Sequence, residues 1–250
     1  MSLQALILAL MLLAASPAEA GSPRSHALLL APEWEQAAQR AKERRAAWRE
    51  VFESLEADPA ECEAVVFPEL LRYSRVQDGV EQAALLALYV QGGKAKADFS
   101  VGMFQMKPSF AEQVETAWMR SPLRHAFKLY FDAADNREQR SRRIRRLADE
   151  RWQCVYLAVF VRLLMEREPS LATLPAGERV RLLATAYNFS FTAPLGELRL
   201  RQSRKTFHLD LLPSRKTAYY AYAGIAAEWF AVTDTSRLET PAMERLPASL

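Results

Sequence analysis

The sequence predicts a mainly α-helical protein built as one domain. Long stretches are rich in Ala, Leu, Glu, Arg and Gln, which favour helices, and runs of β-branched residues are few. Of the 250 residues, 50% are apolar and 25% are charged, which is typical of globular proteins and excludes a disordered or collagen-like chain. The scarcity of strand-forming runs also argues against a strand-rich sandwich.

The N-terminal segment differs from the rest of the chain. Residues 3–15 are almost entirely apolar, Ser16-Pro17 breaks this run, and residues 18–20 read Ala-Glu-Ala, a small-x-small cleavage pattern. We therefore predict a signal peptide over 1–20 and a mature chain that is exported, periplasmic or associated with the cell envelope, with no transmembrane segment. The alternatives are an uncleaved anchor and a misassigned start.

The first elements follow from apolar residues at helical intervals. A long amphipathic helix is predicted over 33–56, where Asp58-Pro59 ends it, and residues 21–32 before it are predicted to be a linker. A short apolar helix follows over 60–67, and Pro68 closes or restarts it.

Turn signals separate the next elements. Segment 80–90 is predicted to be helical and to end at Gly92-Gly93, where glycine suits a C-cap, and a loop follows over 94–107. The next helix is predicted over 109–119. It begins with Ser-x-x-Glu spacing, which predicts a capping box.

The later segments keep helical periodicity. In one of them Val180, Leu183 and Tyr187 share a face. The domain is predicted to span 33–232, with a loosely ordered tail over 233–250. The four later helices are predicted over 123–133, 137–166, 178–190 and 215–232.

Charge and potential metal ligands argue against two function classes. The chain has 33 Lys and Arg against 30 Asp and Glu, a net charge of +3, so we expect no nucleic-acid partner. The three histidines are scattered without metal-ligand spacing, and two cysteines do not make a structural zinc site. We expect no metal centre.

Three short segments stand out against the helical background: FPELLRYS at 67–74, DFSVGMFQMKP at 98–108 and AYN at 186–188. In this order they resemble the signature of lytic transglycosylases and goose-type lysozymes, whose lysozyme-like domain carries one catalytic Glu, a Gly-Leu-Met-Gln type loop ending in Pro, and a later Ala-Tyr-Asn. The resemblance covers about residues 60–230. It implies an enzyme that cleaves the MurNAc–GlcNAc β-1,4 bond of peptidoglycan glycan strands without a cofactor.

The resemblance also implies residue roles. Glu69 would be the general acid and base. The chain departs from the family at Leu70, where Ser is usual, and at Phe189, where Ala is common, and the interval between the first two segments is long enough for an inserted helix over 80–90. The implied glycan contacts are Gly102, Met103, Phe104, Gln105, Tyr187 and Asn188.

The residues around Glu69 suit an acid catalyst. Protonating a leaving oxygen needs a carboxyl that keeps its proton near neutral pH, and apolar surroundings raise the pKa of a carboxyl. Residues 65–67 and 70–71 are apolar. A position after Pro68 near a helix start would lower the pKa of Glu69 through the helix dipole, so burial must dominate. The alternative is a structural first-turn glutamate.

A second carboxylate would decide the product. Asp98 is the candidate to activate water in a lysozyme-type hydrolase, and Asp78 is a weaker one. Asp98 also suits a loop-capping role, which favours the lytic reaction, in which the C6 hydroxyl of MurNAc attacks and leaves a 1,6-anhydro end. The remaining alternative is a non-catalytic peptidoglycan-binding or scaffold protein.

Two further features leave alternatives open. An oxidising compartment permits a disulfide between Cys62 and Cys154, and two free buried thiols are the alternative. Seven arginines lie in 136–151, beside an inward stripe that includes Ile144 and Leu147. We expect a solvated helix face there, the alternative being a basic surface for anionic envelope polymers or a partner protein.

Overall fold

A computed structural model of the protein describes residues 25–73, 80–210 and 213–238. The predicted signal peptide, Asp78 and most of the predicted tail lie outside these residues. Over the described ranges the chain forms eleven α-helices, two short 3₁₀-helices and one two-stranded antiparallel sheet, which confirms the mainly α-helical class. None of these helices is both long and apolar enough to cross a membrane.

The helices are α1 (His26–Leu29), α2 (Ala31–Ser54), α3 (Pro59–Tyr73), α4 (Val80–Gly92), α5 (Pro108–Arg120), α6 (Leu123–Ala126), α7 (Arg137–Ala148), α8 (Glu150–Arg167), α9 (Ala176–Asn188), α10 (Leu195–Arg201) and α11 (Tyr222–Leu238). The 3₁₀-helices are Gly93–Ala95 and Pro169–Thr173. The strands are β1 (Lys205–Phe207) and β2 (Tyr220–Ala221), which pair with each other.

Helix α3 lies at the centre of the core. It packs against α2, α9 and α11, and every residue from Ala60 to Leu71 is buried. The ring of Phe67 stacks on Trp229 of α11 with centroids 3.9 Å apart, and Trp34 of α2 meets Phe67 edge-on at 4.8 Å. Burial on all sides makes α3 a rigid support for any side chain that it presents.

Pro68 lies inside α3 and neither ends nor restarts it. The predicted helix over 60–67 is therefore too short. Proline has no amide hydrogen to donate within the helix and is normally costly there. In α3 the residues on both sides of Pro68 are buried, so packing outweighs the lost hydrogen bond.

Other predicted boundaries need correction. The predicted helix over 123–133 ends at Ala126. The predicted helix over 137–166 breaks at Asp149, which has an extended backbone and caps α8 because its side-chain Oδ1 accepts from the Trp152 amide. The predicted linker over 21–32 contains α1, anchored by Glu228 through the amides of His26 and Ala27 at 2.8 and 3.1 Å.

The C-terminal part of the domain also differs from the prediction. Helix α11 starts at Tyr222, because residues 220–221 pair with β1, and it runs into the predicted tail as far as Leu238. Neither the strand pair nor α10 is predicted by the sequence pattern, since each is shorter than the window in which periodicity shows.

Cys62 and Cys154 are free, buried thiols, so the disulfide that an exported compartment would permit is not formed in this structure. Their side chains fill core positions on α3 and α8, where a free cysteine packs as a small apolar residue. Burial raises the pKa of both thiols, which keeps them protonated and unreactive.

The arginine-rich helix α7 is only partly solvated. Arg143 points inward, is 2% exposed and makes two hydrogen bonds to Glu115 of α5 through Nε at 2.8 Å and Nη2 at 2.5 Å. Arg140 and Arg142 lie in ion pairs with Asp135 and Glu138. The expected solvated face is thus interrupted by Arg143, which joins α7 to α5 together with Arg146, whose Nη1 lies 3.5 Å from Glu115 Oε1.

Candidate active site

Three buried glutamates lie on α3, and two of them are fully paired. Glu61 is hydrogen-bonded by Arg179 of α9, with the Nε atom 2.7 Å away. Glu63 accepts from Arg45 at 2.6 and 2.8 Å and from the indole nitrogen of Trp229 at 3.0 Å. Such pairing offsets the cost of burying a carboxylate, so both residues have a structural role.

Glu69, the third, is 5% exposed and poorly paired. Its Oε2 atom is buried and accepts no hydrogen bond from any described residue, and the nearest ion-pair partner is Nη1 of Arg72 at 3.5 Å. A buried carboxylate without hydrogen bonds is costly, so the neutral acid is favoured.

Burial raises the pKa of Glu69 to about 7, against the opposing effects of Arg72, the Tyr222 hydroxyl and Lys107. The expectation that a helix N-terminus would lower this pKa is wrong, because α3 begins at Pro59 and Glu69 lies in its C-terminal part. Near the C-terminal end the helix dipole favours the neutral acid. At neutral pH the site therefore holds a carboxyl near its midpoint of titration.

The loop after α4 is closed by a small backbone ladder. Val101 and Met106 exchange amide-to-carbonyl hydrogen bonds of 2.9 and 3.1 Å, and the Gln105 amide donates to the Gly102 carbonyl at 3.1 Å. Gly102 has φ of 69° and Gln105 has φ of 50°. The left-handed backbone at both positions lets the chain turn tightly and present Gln105 outward.

Gln153 of α8 fixes this loop from inside. Its Oε1 accepts from the Phe104 amide at 2.8 Å, and its Nε2 donates to the carbonyls of Val101 and Leu147. A Cβ on Gly102 would lie 1.5 Å from that Nε2 atom. Glycine is thus required here by the approach of Gln153.

Gly102, Met103 and Phe104, which the resemblance implies as glycan contacts, are not among the residues that line the groove beside Glu69. Met103 and Phe104 are buried in the core, and the ring of Phe104 packs edge-on against Trp48 at 5.1 Å. Met103 and Phe104 shape the loop from within, whereas Gly102 is partly exposed.

The remaining five predicted residues come together. A groove of about 340 Å³ runs between the loop, the start of α5 and the end of α9. Residues distant in sequence meet in it because α3, the loop and α9 converge there. Its lining includes the five predicted residues Glu69, Asp98, Gln105, Tyr187 and Asn188.

Tyr187 ties α9 to the loop. Its hydroxyl donates to the Phe104 carbonyl at 2.7 Å, so its proton is not directed at the Glu69 carboxyl. Burial raises the pKa of Tyr187, and the negative charge of Glu69 raises it further, which reflects how near the two groups lie. The Tyr187 hydroxyl therefore stays uncharged, and the side chain lines one side of the groove.

Asp98 caps the start of α5. Its two carboxylate oxygens accept from the Ser109 amide at 2.9 Å and the Ser109 hydroxyl at 2.8 Å. Since the Ser109 hydroxyl donates to Asp98 and Lys107 is the N-cap residue, the predicted Ser-x-x-Glu capping box is not formed. Asp98 lines the groove but has both oxygens engaged.

Several residues of the groove or next to Glu69 were missed by sequence reasoning. Arg72 lies one turn after Glu69, a spacing that could have drawn attention to it. Tyr222 lies next to Glu69 and donates to the Val65 carbonyl at 3.0 Å, but it carries no local signal among the tyrosines of residues 219–222. Lys107, Phe110 and Gln113 also line the groove.

The chain was compared with models of protein families, with curated proteins and with solved structures. None of them matches. Across the described ranges, no group of three His, Cys, Asp or Glu residues could hold a metal ion. The groove places a buried carboxyl whose pKa is raised beside amide, hydroxyl and cationic side chains suited to a polar ligand.

Proposed function

We propose that the protein is an exported, cell-envelope lytic transglycosylase that cleaves the MurNAc–GlcNAc β-1,4 bond of peptidoglycan, with Glu69 as its general acid and base. The observation that carries the proposal is the state of Glu69. It is the one buried glutamate of α3 with a buried carboxylate oxygen that accepts no hydrogen bond from a described residue, it borders an open groove, and its pKa is about 7.

One carboxyl is sufficient for this reaction. Glu69 gives its proton to the glycosidic oxygen as the bond from that oxygen to C1 of MurNAc breaks. The resulting carboxylate then takes the proton of the C6 hydroxyl as the C6 oxygen bonds to C1. The products are a 1,6-anhydro end and a free GlcNAc end, and Glu69 regains its proton. A pKa near neutrality suits a group that must both donate and accept.

A lysozyme-type hydrolase is less well supported. It would need Asp98 to activate water, whereas both Asp98 oxygens accept hydrogen bonds from Ser109 at the start of α5. A base held in this way can accept a further proton only by weakening the cap.

A non-catalytic glycan-binding protein is the second candidate function. The ring of Phe189 is 42% exposed at the groove, with the Arg201 guanidinium 3.7 Å from its centroid. An exposed aromatic ring beside polar side chains is also a surface on which a sugar can bind without being cleaved.

Incubation with purified peptidoglycan separates these candidates. The wild-type protein should clear a turbid suspension and release muropeptides with 1,6-anhydro ends, and Glu69→Gln should do neither while still binding the sediment. Hydrated ends would indicate the hydrolase. Binding without clearing by the wild type would indicate the glycan-binding protein.

A further inference from the structure

A second pocket of about 230 Å³ adjoins the groove. We call it the arginine pocket and define it by Arg201, Gln202 and Arg204 on one side and Asn188 and Phe189 on the other. Asn188 and Phe189 also line the groove, so the two cavities are continuous. Tyr222, which neighbours Glu69, lines the arginine pocket as well.

The arginine pocket is rich in hydrogen-bond donors and has no acidic residue in its lining. Arg204 is exposed and forms no ion pair with any residue that the structure describes. Arg201 is held in place, because its Nε pairs with Glu197 at 2.8 Å and its guanidinium covers the Phe189 ring. The arginine pocket is therefore lined by one guanidinium held in place, that of Arg201, and one without an ion pair among the described residues, that of Arg204.

Another cavity, which shares Gln113 and Phe191 with the groove, provides a contrast. It is lined by Lys94, Arg120 and Arg143, but also by Glu112 and Asp135. Lys94 pairs with Glu112 at 3.0 Å, so its positive charge is neutralised locally. The arginine pocket differs in two respects. Its lining has no acidic residue, and although Arg201 shares its charge with Glu197 outside the lining, the exposed Arg204 has no ion pair among the described residues.

We propose that the arginine pocket binds a carboxylate carried by the glycan in the groove. This inference rests on the proposed function. The sugar rings are neutral, whereas the peptides attached to MurNAc end in carboxylates, and MurNAc without its peptide bears a lactyl carboxylate. The planar guanidinium fork matches a carboxylate with two parallel hydrogen bonds, and such charge-assisted bonds are stronger than neutral ones. The enzyme therefore distinguishes peptidoglycan from uncharged glycans at this pocket.

The test is calorimetric titration in the Glu69→Gln background, so that ligands stay intact. The three ligands are a peptide-bearing muropeptide, the same glycan with its peptide removed, and a neutral chitooligosaccharide. Arg204→Gln should weaken binding of at least one carboxylate-bearing ligand about ten-fold and leave chitooligosaccharide binding unchanged. Which charged ligand responds identifies the source of the carboxylate.

Arg199→Gln is the matched control, because Arg199 is an exposed arginine only five residues before Arg204, on α10, and does not line the pocket. It should leave all three affinities unchanged. Equal losses in Arg199→Gln and Arg204→Gln, or equal losses for charged and neutral ligands, would overturn the proposal while leaving the proposed function standing. Failure of every ligand to bind would overturn both.

Discussion

Nη1 of Arg72 lies 3.5 Å from Oε2 of Glu69, one turn earlier on α3. The same guanidinium donates to the His208 carbonyl through Nε and Nη2, each at 3.1 Å, and lies 4.4 Å from the Phe207 ring centroid. These contacts from the β1 region hold a positive charge beside a carboxyl whose pKa burial raises. The pKa of Glu69 is the balance of the two effects.

Replacing Arg72 should disturb that balance in a known direction. Arg72→Met removes the charge that favours the carboxylate, so the pKa of Glu69 should rise by roughly one unit. The measurement is a carbon-13 NMR titration of labelled glutamate side chains, with Glu69→Gln used to assign the signal. Arg72→Lys keeps a positive charge and should shift the pKa less. An unchanged or lower pKa in Arg72→Met would show that Arg72 does not act on Glu69.

The cleavage rate should follow the same titration. The proposed acid must carry its proton at the start of the reaction, so kcat/KM should fall as pH rises through about 7. In Arg72→Met the descending limb should move to higher pH. A pH profile that is flat between pH 5 and pH 9, a range chosen to bracket this pKa by about two units, would speak against Glu69 as the acid.

Stability should depend on pH through Glu69. The pKa of Glu69 is about 7 in the folded protein against an ordinary value of 4.5, so between these pH values the folded state binds a proton that the unfolded state has lost. Stability therefore falls as pH rises across this window, by at most about 3 kcal/mol. Glu69→Gln should lose this dependence and exceed the wild type in stability at pH 8.

Urea unfolding at pH 5 and pH 8 measures this difference. Glu61→Gln is the matched control, because it makes the same change on the same helix but leaves Arg179 without its carboxylate. It should destabilise the protein by about 3 kcal/mol at pH 8, and by less at pH 5, because burial raises the pKa of Glu61 as well. If Glu69→Gln and Glu61→Gln changed the free energy of unfolding by the same amount at each pH, Glu69 would be a structural ion-pair residue like Glu61.

The helical class and most helix positions are predictable from sequence because the apolar stripes of long helices repeat over many residues. What local patterns cannot show is how tertiary packing overrides a propensity. Pro68 predicts a boundary, yet burial of α3 carries the helix through it. Asp149 lies within a continuous periodic segment, yet it caps a new helix.

In the candidate site, too, some residues can be predicted from local sequence patterns and others depend on tertiary packing. Glu69, Gln105 and Asn188 are recoverable from short motifs, and all three line the groove. The contribution of Gly102 could not be assigned correctly, because it depends on the approach of Gln153 from a helix that begins far along the chain. A motif shows which residues recur together, whereas only the fold shows which of them face the ligand.

The loop geometry gives a stability prediction. Gly102→Ala would place a Cβ 1.5 Å from Gln153 Nε2 at a φ of 69°, so it should cost at least about 2 kcal/mol. Gly177→Ala is the control, since its Cβ would meet nothing within 4 Å near the start of α9, and it should be neutral or slightly stabilising. Thermal unfolding of both variants checks this. Similar midpoints for the two variants would contradict the role given to Gln153.

Asp98→Asn tests the choice of product. The amide keeps an oxygen for one hydrogen bond from Ser109 but loses the charge, so stability should fall by only about 1 kcal/mol. A lytic enzyme should retain most of its activity and still make 1,6-anhydro ends. Loss of activity in a folded Asp98→Asn protein would instead assign Asp98 as the base of a hydrolase.

The most direct test is mass spectrometry of the muropeptides released from purified peptidoglycan by the wild type and by Glu69→Gln. The wild type should release 1,6-anhydro muropeptides, and Glu69→Gln should lower their yield by at least about 10⁴-fold while keeping its fold and its binding to peptidoglycan, because the amide cannot donate the required proton. Anhydro products at undiminished yield from Glu69→Gln, or none from the wild type, would contradict the assignment of Glu69 as the acid of a lytic transglycosylase.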